Sequence, residues 1–148
     1  MPVLPVCTVQ TDADVRLDCP ASWADKTTQV LTCFLNATKY SNSTCKQFSD
    51  VVDFQFLASG ASHHSPECTV TEMTKACNTG SFSAKGCRCR EVQDGLYVLE
   101  FAVTGRRERH EGGTWKCVPA CFDDLFRNPF LHPPTAAALQ CGPVVFGE

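Results

Sequence analysis

A chain of 148 residues with 43% hydrophobic and 20% charged residues has the composition of one globular domain with loops to spare, not of a disordered segment. Its formal net charge of −3 argues against nucleic acid as a partner, because a phosphate-binding domain carries a clear basic excess. The outlying number is eleven cysteines, which points to a disulfide framework formed in an oxidising compartment.

Prolines at positions 2 and 5 keep residues 1–11 extended. Met1 to Cys7 has neither the basic start nor the apolar run of ~7–15 residues that a signal peptide needs. No stretch approaches the ~18–20 apolar residues of a membrane span. Either the leader and any anchor lie outside this sequence, or the chain is cytosolic and its cysteines serve another purpose; the favoured reading is a fragment of an extracellular protein. Val15 and Leu17 alternate with charged neighbours and predict a short edge strand. Thr27 to Leu35 is rich in β-branched and apolar residues, with Val30, Thr32 and Phe34 on one face and Leu31, Cys33 and Leu35 on the other.

Asn36 to Asp50 reads as a polar loop containing Cys45 and two N-glycosylation acceptors, Asn36-Ala37-Thr38 and Asn42-Ser43-Thr44. Val51 to Leu57 reads as a strand with Val52, Phe54 and Phe56 on one side. Ala58 to Glu67 is a small polar loop, and Cys68 to Thr71 suits a short strand. Cys77, Cys87 and Cys89 sit among glycines without the 3.6-residue spacing of a helix, so short strands stapled by local bridges are expected. After a turn over Glu91–Gly95, Tyr97, Leu99, Phe101 and Val103 alternate cleanly as a strand. Arg106 to Glu111 then leads into Gly112-Gly113-Thr114-Trp115-Lys116-Cys117. Phe122 to Glu148 has prolines at 129, 133, 134 and 143 and no long strand pattern, and reads as a tail or linker that Cys141 could tie back.

Reactive chemistry finds little support. Cys87-Arg88-Cys89 and Cys117-x3-Cys121 do not match the paired Cys-x2-Cys knuckles of zinc sites, and adjacent His63 and His64 cannot easily share one tetrahedral ion. A cysteine nucleophile needs a histidine and an orienting group around it, and no such signature is present. Asp123-Asp124 and the Asp12/Asp14 pair have no context that would desolvate them. Glu111-Gly112-Gly113-Thr114 lacks the lysine and helix of a phosphate loop. The run Arg106-Arg107-Glu108-Arg109-His110 could grip a sulfated glycan or a membrane surface, but its plainer reading is a solvated loop. No catalytic residue, metal or cofactor is expected. The odd cysteine count leaves one thiol free, paired beyond the fragment, or joined to another chain.

An aromatic residue two positions before a cysteine, after a glycine turn, resembles the F-strand of an immunoglobulin-like domain, with Trp115 in the place of the usual tyrosine. Cys33, inside its apolar strand, resembles the B-strand partner. The similarity is to divergent, cysteine-rich, invertebrate-style ectodomains. It implies a central inter-sheet disulfide between Cys33 and Cys117, with the Cys33 face turned inward. Trp115, Phe54 and Phe56 would pack on the bridge, the phenylalanines replacing the family's C-strand tryptophan. The fold implied is all-β: an immunoglobulin-like antiparallel β-sandwich with extra disulfides over residues 12–122, a lead-in over 1–11 and an irregular Pro-rich tail or linker over 123–148. The function implied is non-catalytic recognition or adhesion by a cell-surface or secreted protein, with a protein or glycan partner. The loops Asn36–Asp50, Ala58–Glu67 and Arg106–Gly113 are the contact candidates. The alternative reading is a secreted cysteine-rich effector, an inhibitor or toxin-like protein.

Overall fold

The computed structural model describes residues 14–43, 48–77, 86–121 and 140–147. The strands are β1 (Val15–Asp18), β2 (Thr28–Asn36), β3 (Phe48–Leu57), β4 (Ser65–Val70), β5 (Cys87–Gln93), β6 (Leu96–Thr104), β7 (Thr114–Cys121) and β8 (Gln140–Cys141). Among the described residues three short helices interrupt them: α1 (Ala37–Ser43), α2 (Met73–Ala76) and α3 (Arg107–His110). The strands form two four-stranded antiparallel sheets, ordered β1-β2-β6-β5 and β4-β3-β7-β8. This is an all-β sandwich.

Alternation decides which side chains go inside. Leu31, Cys33 and Leu35 on β2 are wholly buried, and their register partners Phe101, Leu99 and Tyr97 on β6 continue the same inner surface. From the facing sheet come Val52, Phe54 and Phe56 of β3 with Trp115 and Cys117 of β7. β1 lies over β7 and β8 at one side, and β5 lies over β4 at the other.

Among the described residues, three disulfides cross between the two layers. Cys33–Cys117 joins β2 to β7 in the middle, with the Cα atoms 6.3 Å apart. Cys68–Cys87 joins the edge strands β4 and β5, also at 6.3 Å. Cys19, next after β1, reaches Cys141 of β8 at the opposite edge, at 6.4 Å. The remaining pair of facing strands, β3 and β6, is held by Phe54 against Phe101, with ring centroids 5.4 Å apart. A fourth bridge, Cys77–Cys89, fastens the end of α2 to β5.

Two sequence expectations need correction. The boundary at residue 122 does not close the sandwich, because β8 pairs with β7 through Trp115↔Cys141 and Lys116↔Gln140. Val144 and Phe146 are buried behind it, and Phe146 forms a parallel bridge with Trp23. These pairings join positions far apart in the chain, which local alternation cannot reveal. Most of the rest of the expected tail, like the lead-in at 1–11, lies outside the described residues. The second correction concerns Asn36–Asp50, which is not only a loop. Asn36 Oδ1 accepts the Lys39 amide at 3.0 Å and so caps α1. Tyr40 folds back from that helix, buried, and donates its hydroxyl to the Pro119 carbonyl at 3.1 Å.

Cutting the central bridge should be costly. Its two cysteines are 84 positions apart, and closing a loop of that length removes ~4–5 kcal/mol of unfolded-state freedom in the chain-entropy account. A Cys33→Ala/Cys117→Ala chain is expected to lose ~2–5 kcal/mol in urea unfolding, enough to leave it largely unfolded at 37 °C.

Candidate functional site

The two sheets offer different outer faces. On the first, register places Arg16, Phe34, Val98 and Arg90 in one row across all four strands, and Asp18, Thr32, Glu100 and Arg88 in the next. Val30 and Ala102 follow, with Val30 42% exposed. The charges here are largely matched: Arg16 pairs with Asp18 at 3.1 Å and lies over the Phe34 ring, and Arg88 pairs with Glu100 at 2.7 Å. On the second sheet the outward residues Asp53, Gln55 and Val118 are buried. Asp53 accepts from Thr69 Oγ1 at 2.7 Å and from Gln55 Nε2 at 3.1 Å, and its burial raises the carboxyl above its ordinary range. The first sheet therefore presents the open face.

The three candidate loops do not converge. Ala58–Glu67 and Arg106–Gly113 share one end of the sandwich, where a Cβ at Gly112 would come within 3.3 Å of Ser59 and where Arg109 grips Glu67 at 2.7 Å. The Asn36 segment is at the other end, beside the β5–β6 turn, with the Ala37 amide on the Gly95 carbonyl at 2.7 Å. Of the two glycosylation acceptors, Asn42 is exposed and Asn36 is half-buried as the helix cap.

The basic run is mostly structural. Arg107 donates to the Gly147 carbonyl at 2.8 Å and lies over Phe146. Arg109 lies over Phe56 and bonds Glu67, whose Oε2 also accepts Ser65 Oγ at 2.8 Å. The Arg106 side chain is exposed. His110, at the end of α3, is 1% exposed and packs on Phe56, Trp115 and Trp23, with ring centroids at 5.0, 5.6 and 6.2 Å.

Trp115, Phe54 and Phe56 all belong to the core around the central bridge, and Phe54 sits directly across the ladder from Cys117. Trp115 stacks on Trp23, 6.2 Å away and 9° from parallel. Its Nε1 is buried without a hydrogen-bond partner among the described residues. Trp23 falls in no sequence pattern, and His110, read from the sequence as part of a solvated basic run, is buried instead.

No group of three or more His, Cys, Asp or Glu among the described residues could hold a metal ion. No described helix is long and apolar enough to cross a membrane. One surface feature escaped the sequence reading altogether. A cleft of about 230 Å³ lies at the β1/β8 edge, walled by the Cys19–Cys141 bridge, Pro20, Ala21, Trp23, Gly142, Pro143, Val144 and Val145. No ionisable side chain lines it. The sequence matches no known family model and no curated protein.

His110 makes the fold sensitive to acid. The Arg106 amide donates to Nδ1 at 2.9 Å, and Arg109 Nη1 stands 2.8 Å from Nε2. Both neighbours can only donate, so a doubly protonated ring would direct two N–H groups at donors. Burial first, then the Arg109 charge, lowers the imidazole below its ordinary 6.5. Below that value the unfolded chain binds a proton that the folded one refuses, so this contribution is complete above about pH 6.5 and lost as pH falls. Melting temperature should drop between pH 7.5 and 5.5, and His110→Asn should flatten part of that slope while lowering stability at neutral pH. Arg109→Ala should cost under ~1 kcal/mol, because its side chain is 47% exposed and the ion pair with Glu67 is solvent-screened.

Proposed function

We propose that the chain is a non-catalytic recognition module of an extracellular protein, secreted or displayed on a cell surface, with an immunoglobulin-like scaffold. The observation that carries this reading is the set of disulfides crossing the sandwich at its middle and at both edges. Such bridging needs an oxidising compartment, and it gives a small domain a rigid surface without a large core. The strand order supports the scaffold, since β1-β2-β6-β5 facing β4-β3-β7-β8, with a bridge from the second strand to the seventh, is the arrangement of immunoglobulin-type sandwiches. The partner is a protein or a glycan met on the open face of the first sheet, around Val30, Thr32 and Ala102, where side chains are small, uncharged and unpaired by salt bridges. A glycan on exposed Asn42 would shield the α1 end and leave that face free.

The test is expression of the chain behind a cleavable leader in secretory cells. The expected product is secreted and runs faster unreduced than reduced. Peptide N-glycosidase should lighten it, and Asn42→Gln should remove most of that shift. In a screen of multimerised protein against cell-surface proteins and glycans, Val30→Asp should abolish the hits. Retention as reduced protein with free thiols would defeat the extracellular assignment. Binding that is indifferent to Val30→Asp would defeat the assigned face.

A further inference from the structure

The described disulfides differ sharply in their access to solvent. Cys33 and Cys117 are 0% exposed, and Cys68, Cys87, Cys77 and Cys89 lie between 2% and 3%. Cys19 and Cys141 are only partly buried, at the rim of the core. They also form one wall of the 230 Å³ cleft at the β1/β8 edge. A cysteine side chain of an approaching protein fits within that volume, so the cleft offers an attacking thiolate a way to this bridge. The cysteines of the other described bridges are buried instead.

The same bridge bears on a separable part of the fold. Among the described residues, β8 has a ladder of two residue pairs with β7. Beyond it the chain is held by main-chain bonds: Val144 N–H to the Gly113 carbonyl at 2.9 Å, Gly112 N–H to the Val144 carbonyl at 2.8 Å, Trp23 N–H to the Val145 carbonyl at 2.8 Å, and Gly147 N–H to the Trp23 carbonyl at 2.9 Å. The segments 19–23 and 141–147 are thus fastened at one end by sulfur and at the other by hydrogen bonds, with the cleft between them. Opening the sulfur end would part residues 19–21 from 141–143. The hydrogen-bonded end would remain, and the two layers would stay pinned by Cys33–Cys117 and Cys68–Cys87.

We propose that Cys19–Cys141 is a reducible clasp, opened by a dithiol reductant of the thiol–disulfide oxidoreductase class, and that its opening loosens the β8 edge without unfolding the sandwich. One thiolate of the reductant attacks either sulfur and forms a mixed disulfide, displacing the other cysteine as a thiolate that takes a proton from water. The second thiol of the reductant, deprotonated, then attacks its own mixed disulfide. Cys19 and Cys141 end as two thiols, and the reductant ends as its own disulfide. Access and thiolate character set the order in which bridges exchange.

The experiment titrates the oxidised full-length chain with dithiothreitol, traps thiols with iodoacetamide and maps them by peptide mass. Hydrogen exchange is followed in parallel. Cys19 and Cys141 should be labelled at a reductant concentration about ten-fold or more below that needed for Cys33, Cys117, Cys68 or Cys87. At that point residues 140–147 should exchange faster while β2 and β6 keep their protection. Labelling of a core-buried pair at the same concentration overturns the proposal, as does labelling of Cys19 and Cys141 only when β2 and β6 lose protection. A Cys19→Ser/Cys141→Ser chain should show the faster 140–147 exchange without reductant and lack the first labelling step. If that chain does not fold, the bridge is essential to the sandwich and the clasp is refuted.

Discussion

The structure depends on the sulfur bridge between Cys33 and Cys117. Two facing sheets bury their inner side chains only if they stay ~10 Å apart, and a covalent tie through the middle of both fixes that spacing. Around it the ladder partners Leu99 and Phe54 complete a surface that excludes water, and Trp115 and Phe101 meet edge to face 5.9 Å apart. The edge bridges extend the constraint outward, so the layers cannot splay at either side. What the covalent frame leaves to weaker forces is local: the turn held by His110 and the helix capped by Asn36.

Legibility in the sequence followed the range of the forces involved. Strands whose alternation uses ordinary apolar residues were plain, as in Tyr97, Leu99, Phe101 and Val103 against Val98, Glu100 and Ala102. β5 was obscure because its inward residues are Cys87 and Cys89 between arginines, so sulfur plays the apolar part in the alternation. α1 was missed because Lys39 to Ser43 is polar and weakly helix-forming. It is held by a cap and by one anchored ring, Tyr40.

The candidate site was less legible than the fold. The basic run near residue 107 looked like a solvated loop or a polyanion grip, yet Arg107 and Arg109 spend their guanidinium groups on Gly147, Glu67 and two aromatic rings. Those contacts join residues 39 to 53 positions apart, and no local pattern encodes them. The difference between the two outer faces is likewise invisible in one strand alone. Asp53 and Gln55 alternate with phenylalanines as a solvated edge would, and only the three-dimensional arrangement buries them.

The spacing of the bridges also governs how the chain is made. Cys19 leaves the ribosome 122 residues before Cys141, which at ~5–20 residues per second is a wait of ~6–24 s. During that interval Cys33, and later the cysteines of β4 and β5, emerge as rival partners for the same sulfur. Cys19 must therefore stay unpaired, or be paired again, until the far end of the chain brings Cys141 to it.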